Sequence, residues 1–427
     1  MSTAVPGGRW SAQAVAGAAL CIALLGLGLR IGMLDLNNAD LVDHFIPWLE
    51  DIRQRGFWTA LGTPFSAYGY TPFYSYCLGL ANQVFPDGTD GKIVIKSVSI
   101  LFDYIAAALV AMIVWQEKHD QQRALMAFAA ILLAPTVLLN GAAWGQSDIV
   151  YTSFLLLCLY AALAQRPLLV MLSFGLALSI KLQAAWLGPF ILMLLLRARL
   201  RWWMVALVPL CYLLVALPAI FAGRSVLEVS TVYLTQAGTQ KALNASAANL
   251  QFFSHYFFTH KGLWPEIVPL FAKLSVLFTA VVALVYAWRS ARLRLEHEAL
   301  VLAALVSVML LPMFLPFMHN RYFFAADILS IVLALMRRSF WPVAVLIQLT
   351  SLVTYISFLS PGMEKWPVPE WIAMFGFTNN LQPITALIAL AGLLNLAILI
   401  ACWRRMEHEE RDSSSSRAGL SMLAPTC

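Results

Sequence analysis

Apolar runs broken by short polar or basic stretches organise this chain. They lie at about 11–33, 92–115, 124–139, 149–165, 167–181, 183–197, 202–222, 264–288, 298–318, 322–336, 340–358 and 381–403. A helix needs roughly 20 apolar residues to cross the hydrocarbon core, and crowded bundles tolerate fewer. The pattern therefore predicts an all-α polytopic membrane protein with about 12 transmembrane helices. The first run is too long for a signal h-region and leads into further spans, so it reads as a retained helix. Segment 70–86 is ambiguous, being short with Pro72 near its start.

The basic residues decide that ambiguity. If 70–86 does not span and the N-terminus is inside, the cytoplasmic loops receive Lys118 and Arg123, Arg166, the 197–201 arginines, the 289–294 arginines, Arg337 with Arg338, and Arg404 with Arg405. That agrees with the positive-inside rule. If 70–86 spans, the clusters land outside, so it is expected to be a surface-lying or partly inserted helix. One transmembrane domain, 1–405, is expected, with a polar, disordered cytoplasmic tail at 406–427. The first outer loop, 34–91, contains interfacial helices, and 223–263 forms a large outer loop. Both termini are placed in the cytoplasm, and the default location is the plasma (inner) membrane.

Composition adds exclusions. Of 427 residues, 61% are hydrophobic and 12% charged, which rules out a water-soluble enzyme or a disordered chain. The net charge of +6 sits largely in short cytoplasmic loops, so it implies no nucleic-acid partner. Six scattered cysteines and four widely spaced outer histidines (His44, His255, His260, His319) suggest neither a disulfide framework nor a zinc site.

Candidate chemistry falls on the outer side. In 41–58, Phe45, Trp48, Leu49 and Ile52 recur at helical spacing against charged positions, predicting an amphipathic helix lying in the interface, apolar face down. Asp40 precedes it, with Asp43 and His44 as competitors; the plain alternative is a solvated loop carboxylate. The turn Asn140-Gly-Ala-Ala-Trp144-Gly-Gln146-Ser-Asp148 puts an amide, an indole and a carboxylate at membrane depth, where carboxylates are costly. Trp144 and Gln146 suit a sugar ring, although a belt tryptophan with a capping Asp148 reads as well. Lys181 with Gln183, and His319-Asn-Arg321-Tyr322, offer cations suited to a phosphate, with snorkelling as the alternative for Lys181. Loop 223–263, including Asn244 and Asn249, is rich in amides and aromatics.

Taken in order, these segments resemble a known group. Asp40 with Pro47-Trp48, Tyr70-Thr-Pro72-Phe-Tyr74, Lys96 to Asp103, Asn140 to Asp148, Lys181-Leu-Gln183 and His319-Asn-Arg321-Tyr322 are similar to the motifs of the GT-C superfamily of polytopic glycosyltransferases, in particular bacterial mannosyl- or glucosyltransferase-like members. The resemblance spans about 30–340. It implies transfer of a single hexose from a polyprenyl-phosphate donor to an acceptor hydroxyl at the outer (periplasmic) face, with inversion. The acceptor would be a glycan, a glycolipid or a protein, with membrane lipid around the site. By position the general base is Asp40; Arg321 and Lys181, assisted by His319, meet the phosphate; Asp148, Gln146 and Trp144 orient sugar or acceptor. Asp43, His44, Tyr70, Gln183, Asn249 and Tyr322 complete the candidate substrate-binding set. No metal or other cofactor is expected.

The sequence departs from the family pattern at Thr71, where a second proline is usual, and at Gln251, where a tryptophan is usual; Asn244 and Asn249 match an asparagine-rich patch loosely. The rival from another class is a transporter or flippase of a lipid-linked saccharide. Transporters place their sites near the midplane on pseudo-symmetric halves, and no such repeat is visible here.

Overall fold

The computed structural model describes residues 10–64, 70–236, 242–260, 264–293, 296–359 and 381–421. Its architecture is all-helical. Seven helices are long and apolar enough to cross a membrane, and an eighth span results if one bent pair is counted as one. The seven are Ala12–Ile31, Gly91–Lys118, Trp202–Phe221, Ile267–Ala291, His297–Phe314, Arg338–Leu359 and Leu387–Glu407.

The other expected spans are shorter helices, including Asp148–Leu163, Pro167–Ile180, Leu182–Leu196 and Phe324–Met336. Polar breaks in the chain shorten them. Arg166-Pro167 starts one, and Lys181, in extended backbone, ends it. Asp148–Leu163 and Phe324–Met336 are sheathed by protein along most of their length.

Local chemistry sets the boundaries. The Asp90 side chain accepts from Lys92 N at the start of Gly91–Lys118, and left-handed His119 ends that helix. Asp120 then caps Gln121–Leu132. Pro135, which has no N–H to continue the ladder, restarts the chain at 45° through Pro135–Ala143. Arg30 on the first helix pairs with Asp103 at 2.8 Å, both fully buried, and donates to Leu132 O at 3.0 Å. These contacts tie three helices together behind the bend.

Two expectations need adjustment, the interfacial helix and the tail. The helix expected to lie on the membrane is a π-turn, Leu41–Phe45, followed by Ile46–Arg55, and its apolar face is covered by protein. Phe45 meets Tyr74 at 5.6 Å and Trp48 meets Tyr70 at 4.7 Å, so aromatic packing fills the place expected for lipid. Segment 70–86 forms the helix Pro72–Val84, too short to be counted among the spans. The last helix runs Leu381–Ser421, so 406–421 continue helical where disorder is expected from the sequence. Residues 422–427 of the expected tail, parts of both outer loops and 360–380 lie outside the described residues.

Candidate active site

Several helix ends converge at one end of the bundle, and each contributes a polar group. The turn after Pro135 is a π-turn, Leu139–Ala143, and Gly145 follows at φ +79°, a conformation that favours glycine. A Cβ on Gly145 would come within 3.3 Å of Leu41 Cδ1, so glycine also permits the close approach of the first loop. Asn38 bridges the two segments, donating to Trp144 O at 2.9 Å and accepting from Leu41 N at 3.0 Å. Ser99 Oγ donates to Gln146 O at 2.6 Å. Lys96 Nζ donates to the carbonyls of Met33, Leu34 and Leu36 at 2.8, 3.0 and 2.8 Å. The loop leading to Asp40 is thus pinned by side chains from Gly91–Lys118 and by the 139–146 turn.

Asp40 is the meeting point. Its Oδ2 accepts from Trp144 Nε1 at 3.0 Å, Gln146 Nε2 at 2.6 Å and Arg321 Nη1 at 3.2 Å. Among the described residues no donor reaches Oδ1, and the side chain is 20% exposed. Burial works against the charged form, yet the Arg321 guanidinium and the Trp144 N–H hold the carboxyl below its ordinary pKa. Arg321 stays cationic, its pKa raised because the Asp40 and Asp148 carboxylates outweigh burial. The Arg321 guanidinium also lies 5.2 Å from the centre of the Trp144 ring.

His319 stands beside this pair. Burial, reinforced by Arg321, pushes its pKa down to about 3, so the imidazole is neutral. Its Nδ1 contacts Asn320 Oδ1, and Arg321 Nη1 lies 3.4 Å from the same nitrogen. The ring packs edge-on against Phe358 at 5.4 Å, and Phe358 in turn stacks on Trp144 at 4.5 Å.

A second carboxylate lies behind the first. Asp148 is 1% exposed and accepts from Lys181 Nζ at 2.6 Å through Oδ1 and from Asn140 Nδ2 at 3.0 Å through Oδ2, with Arg321 Nε 3.4 Å from that same oxygen. Lys181 reaches it because the extended backbone at the end of Pro167–Ile180 turns the side chain inward. Lys181 faces a carboxylate here, whereas the sequence reading turns it toward a phosphate.

The remaining candidates divide. His44 lies near enough to act electrostatically on Asp40, and Tyr70 is buried, its hydroxyl pushed up to about 12 first by burial. Tyr322 sits against Gln183 and 6.2 Å from Trp186. Asp43 is exposed on the π-turn and joins none of these hydrogen bonds. Asn249 is bonded within the fold. Its Nδ2 donates to Pro312 O at 2.7 Å and its Oδ1 accepts from Asn244 Nδ2 at 2.7 Å, so the buried amide is spent on the fold. It braces the loop whose Asn244–Ala245 pairs in parallel with Met318–His319, the segment that presents His319 and Arg321.

Sequence reasoning missed Asn38, Ser99, Tyr355 and Phe358. Tyr355 OH accepts from Asn140 Nδ2 at 3.2 Å and its ring lies 5.7 Å from Trp144. Inside long apolar or loop stretches, nothing in their spacing marks them. Among the described residues no group of three or more His, Cys, Asp or Glu side chains could hold a metal ion.

No curated protein matches the chain. The family model for glycosyltransferase family 87 matches residues 63–317, more than half of the chain. The match contains the 140–148 turn and Lys181; Asp40 precedes it, and His319 and Arg321 follow it. That match favours a glycosyltransferase over a transporter, and it agrees with a bundle of apolar helices. The chain belongs to glycosyltransferase family 87, a GT-C-type family of integral membrane proteins.

Proposed function

We propose that the protein transfers a single hexose, of mannose or glucose type, from a polyprenyl-phosphate donor to an acceptor hydroxyl, with inversion. Asp40 is the general base in this reading. One observation carries it: three donors, Arg321 among them, hold Asp40 Oδ2, while among the described residues none reaches Oδ1. The acceptor O–H gives its proton to Asp40 Oδ1 as its oxygen bonds the anomeric carbon. The anomeric carbon–phosphate oxygen bond breaks, and polyprenyl phosphate leaves with the electron pair. A phosphodiester with one negative charge thereby becomes a monoester with up to two, so a fixed cation aids departure. Arg321 supplies it, with neutral His319 alongside. Trp144, Gln146, Tyr70 and Tyr322 orient sugar or acceptor, and no metal takes part.

In the same reading the shorter helices complete about 12 spans, both termini are cytoplasmic, and the site opens to the periplasmic face of the inner membrane. The arginine-rich connections at the opposite end of the bundle support this orientation. The test is hexose transfer by the purified protein in detergent, from polyprenyl-phosphate mannose and from the glucose analogue, to a crude envelope fraction. Acceptor-dependent release of polyprenyl phosphate with an inverted anomer in the product is expected. Transfer from a nucleotide sugar, with neither lipid donor used, would refute the reading.

A further inference from the structure

The four charged groups at the site balance: Asp40 and Asp148 against Lys181 and Arg321. They are not equivalent. Both oxygens of Asp148 are engaged by protein and the side chain is 1% exposed, which leaves substrate no face to touch. Lys181, 6% exposed, spends its charge on Asp148 at 2.6 Å. Arg321 differs. Its Nη1 is given to Asp40 and its Nε lies against Asp148, but among the described residues no acceptor holds its Nη2, and the side chain is 10% exposed.

We infer that Lys181 never contacts the donor; it acts through Asp148 as the counter-ion that keeps this second carboxylate from capturing Arg321, leaving the Arg321 guanidinium available for the phosphate of a lipid-linked sugar. The inference rests on the lipid-phosphate reading above. Its physical basis is the cost of an unpaired buried charge. With Lys181 gone, Asp148 has one strong cation left within reach, the Nε of Arg321 at 3.4 Å, and would draw the guanidinium inward and partly neutralise it. Lys181 is therefore a positioning residue.

The reading predicts a sign reversal. Lys181→Met is expected to weaken binding of polyprenyl monophosphate, used as the probe, about tenfold or more, because Asp148 is then uncompensated. Adding Asp148→Asn removes the competitor and is expected to restore binding to within about threefold of wild type, since Arg321 keeps its charge. Asp148→Asn alone is expected to hold or tighten the probe while lowering the melting temperature, as Lys181 is then the unpaired group. A purely structural role would move affinity and stability downward together.

Binding of polyprenyl monophosphate to the full-length protein in detergent, with a melting curve for each variant, is the experiment. If wild type binds and the double variant is no tighter than Lys181→Met, Lys181 touches the phosphate directly and the inference falls alone. If wild type does not bind, the lipid-phosphate reading falls and takes this inference with it. Should Lys181→Met fail to fold, the double variant decides: near-wild-type affinity supports the counter-ion role, and a loss of about tenfold overturns it.

Discussion

Arg321 donates from Nη1 to Asp40 Oδ2 at 3.2 Å, joining two segments 281 positions apart in the chain. The contact keeps the base ionised and also restrains it. A carboxylate held below its ordinary pKa is a weak proton acceptor, and a phosphate that engages Arg321 would relax that hold as the donor binds. Base strength would then rise only in the loaded site. The acid limb of kcat/KM should follow the Asp40 carboxylate of the free enzyme and fall below its ordinary value of 3.8. In Arg321→Gln, burial is no longer offset by that cation, so the limb should move to higher pH. A pH–rate profile of both proteins tests this; an unmoved limb would separate Arg321 from the base.

Trp144 has two jobs that one substitution separates. Its Nε1 donates to Asp40 at 3.0 Å, and its ring stacks on Phe358 at 4.5 Å. Trp144→Phe keeps most of the stacking and loses the donor. A hydrogen bond to a charged group contributes about 1.5–3 kcal/mol, so turnover should fall about ten- to a hundredfold with little change in folding. Trp144→Ala also opens a cavity and should lower stability by about 3–5 kcal/mol. Paired melting and turnover measurements check both.

His319 is held neutral, its pKa pushed from 6.5 down to about 3 by burial first and Arg321 second. The unfolded chain binds a proton across that window and the native one does not, so stability rises with pH there. It is complete above about 6.5 and lost progressively as pH falls toward 3. The melting temperature of His319→Gln should therefore fall less than that of wild type between pH 6.5 and 4, and parallel slopes would reject the assignment.

Lys96 sets the path of the loop that delivers Asp40. Its ammonium serves three carbonyls just beyond the first helix, and a methionine there would strip that donor from all three, leaving Met33 O only its bond from Leu36 N. Lys96→Met should lose both thermal stability and turnover, by about tenfold or more in the latter, as misplacement of a catalytic group commonly does. Normal turnover in that variant would show that the loop is held by Asn38 and the aromatic packing alone.

Much of the site was legible because it is made of costly residues. Carboxylates and cations at membrane depth need a reason, and Asp40, Asp148, Lys181 and Arg321 do come together. Which charge faces which could not be read from the chain. Lys181 has no acidic neighbour in sequence, yet Asp148, 33 positions away, occupies it in space. The amphipathic helix was legible as a pattern but not as a location, since period alone does not distinguish a lipid surface from the protein's own aromatics. Apolar length was a poor guide where helices are surrounded by protein, as with Phe324–Met336. Phe358 and Tyr355 carried no signal because aromatic residues in an apolar helix look alike until their neighbours are known.

The central claim is that Asp40 takes the acceptor's proton. It is tested most directly by release of polyprenyl phosphate from polyprenyl-phosphate hexose with a crude acceptor fraction, comparing wild type with Asp40→Asn at matched donor occupancy. Asparagine keeps the shape and can still accept at one oxygen, but it cannot take up the proton. Acceptor-dependent release by wild type, reduced about a hundredfold or more in the variant with donor binding retained, is the predicted result. Release at the wild-type rate from Asp40→Asn would contradict it.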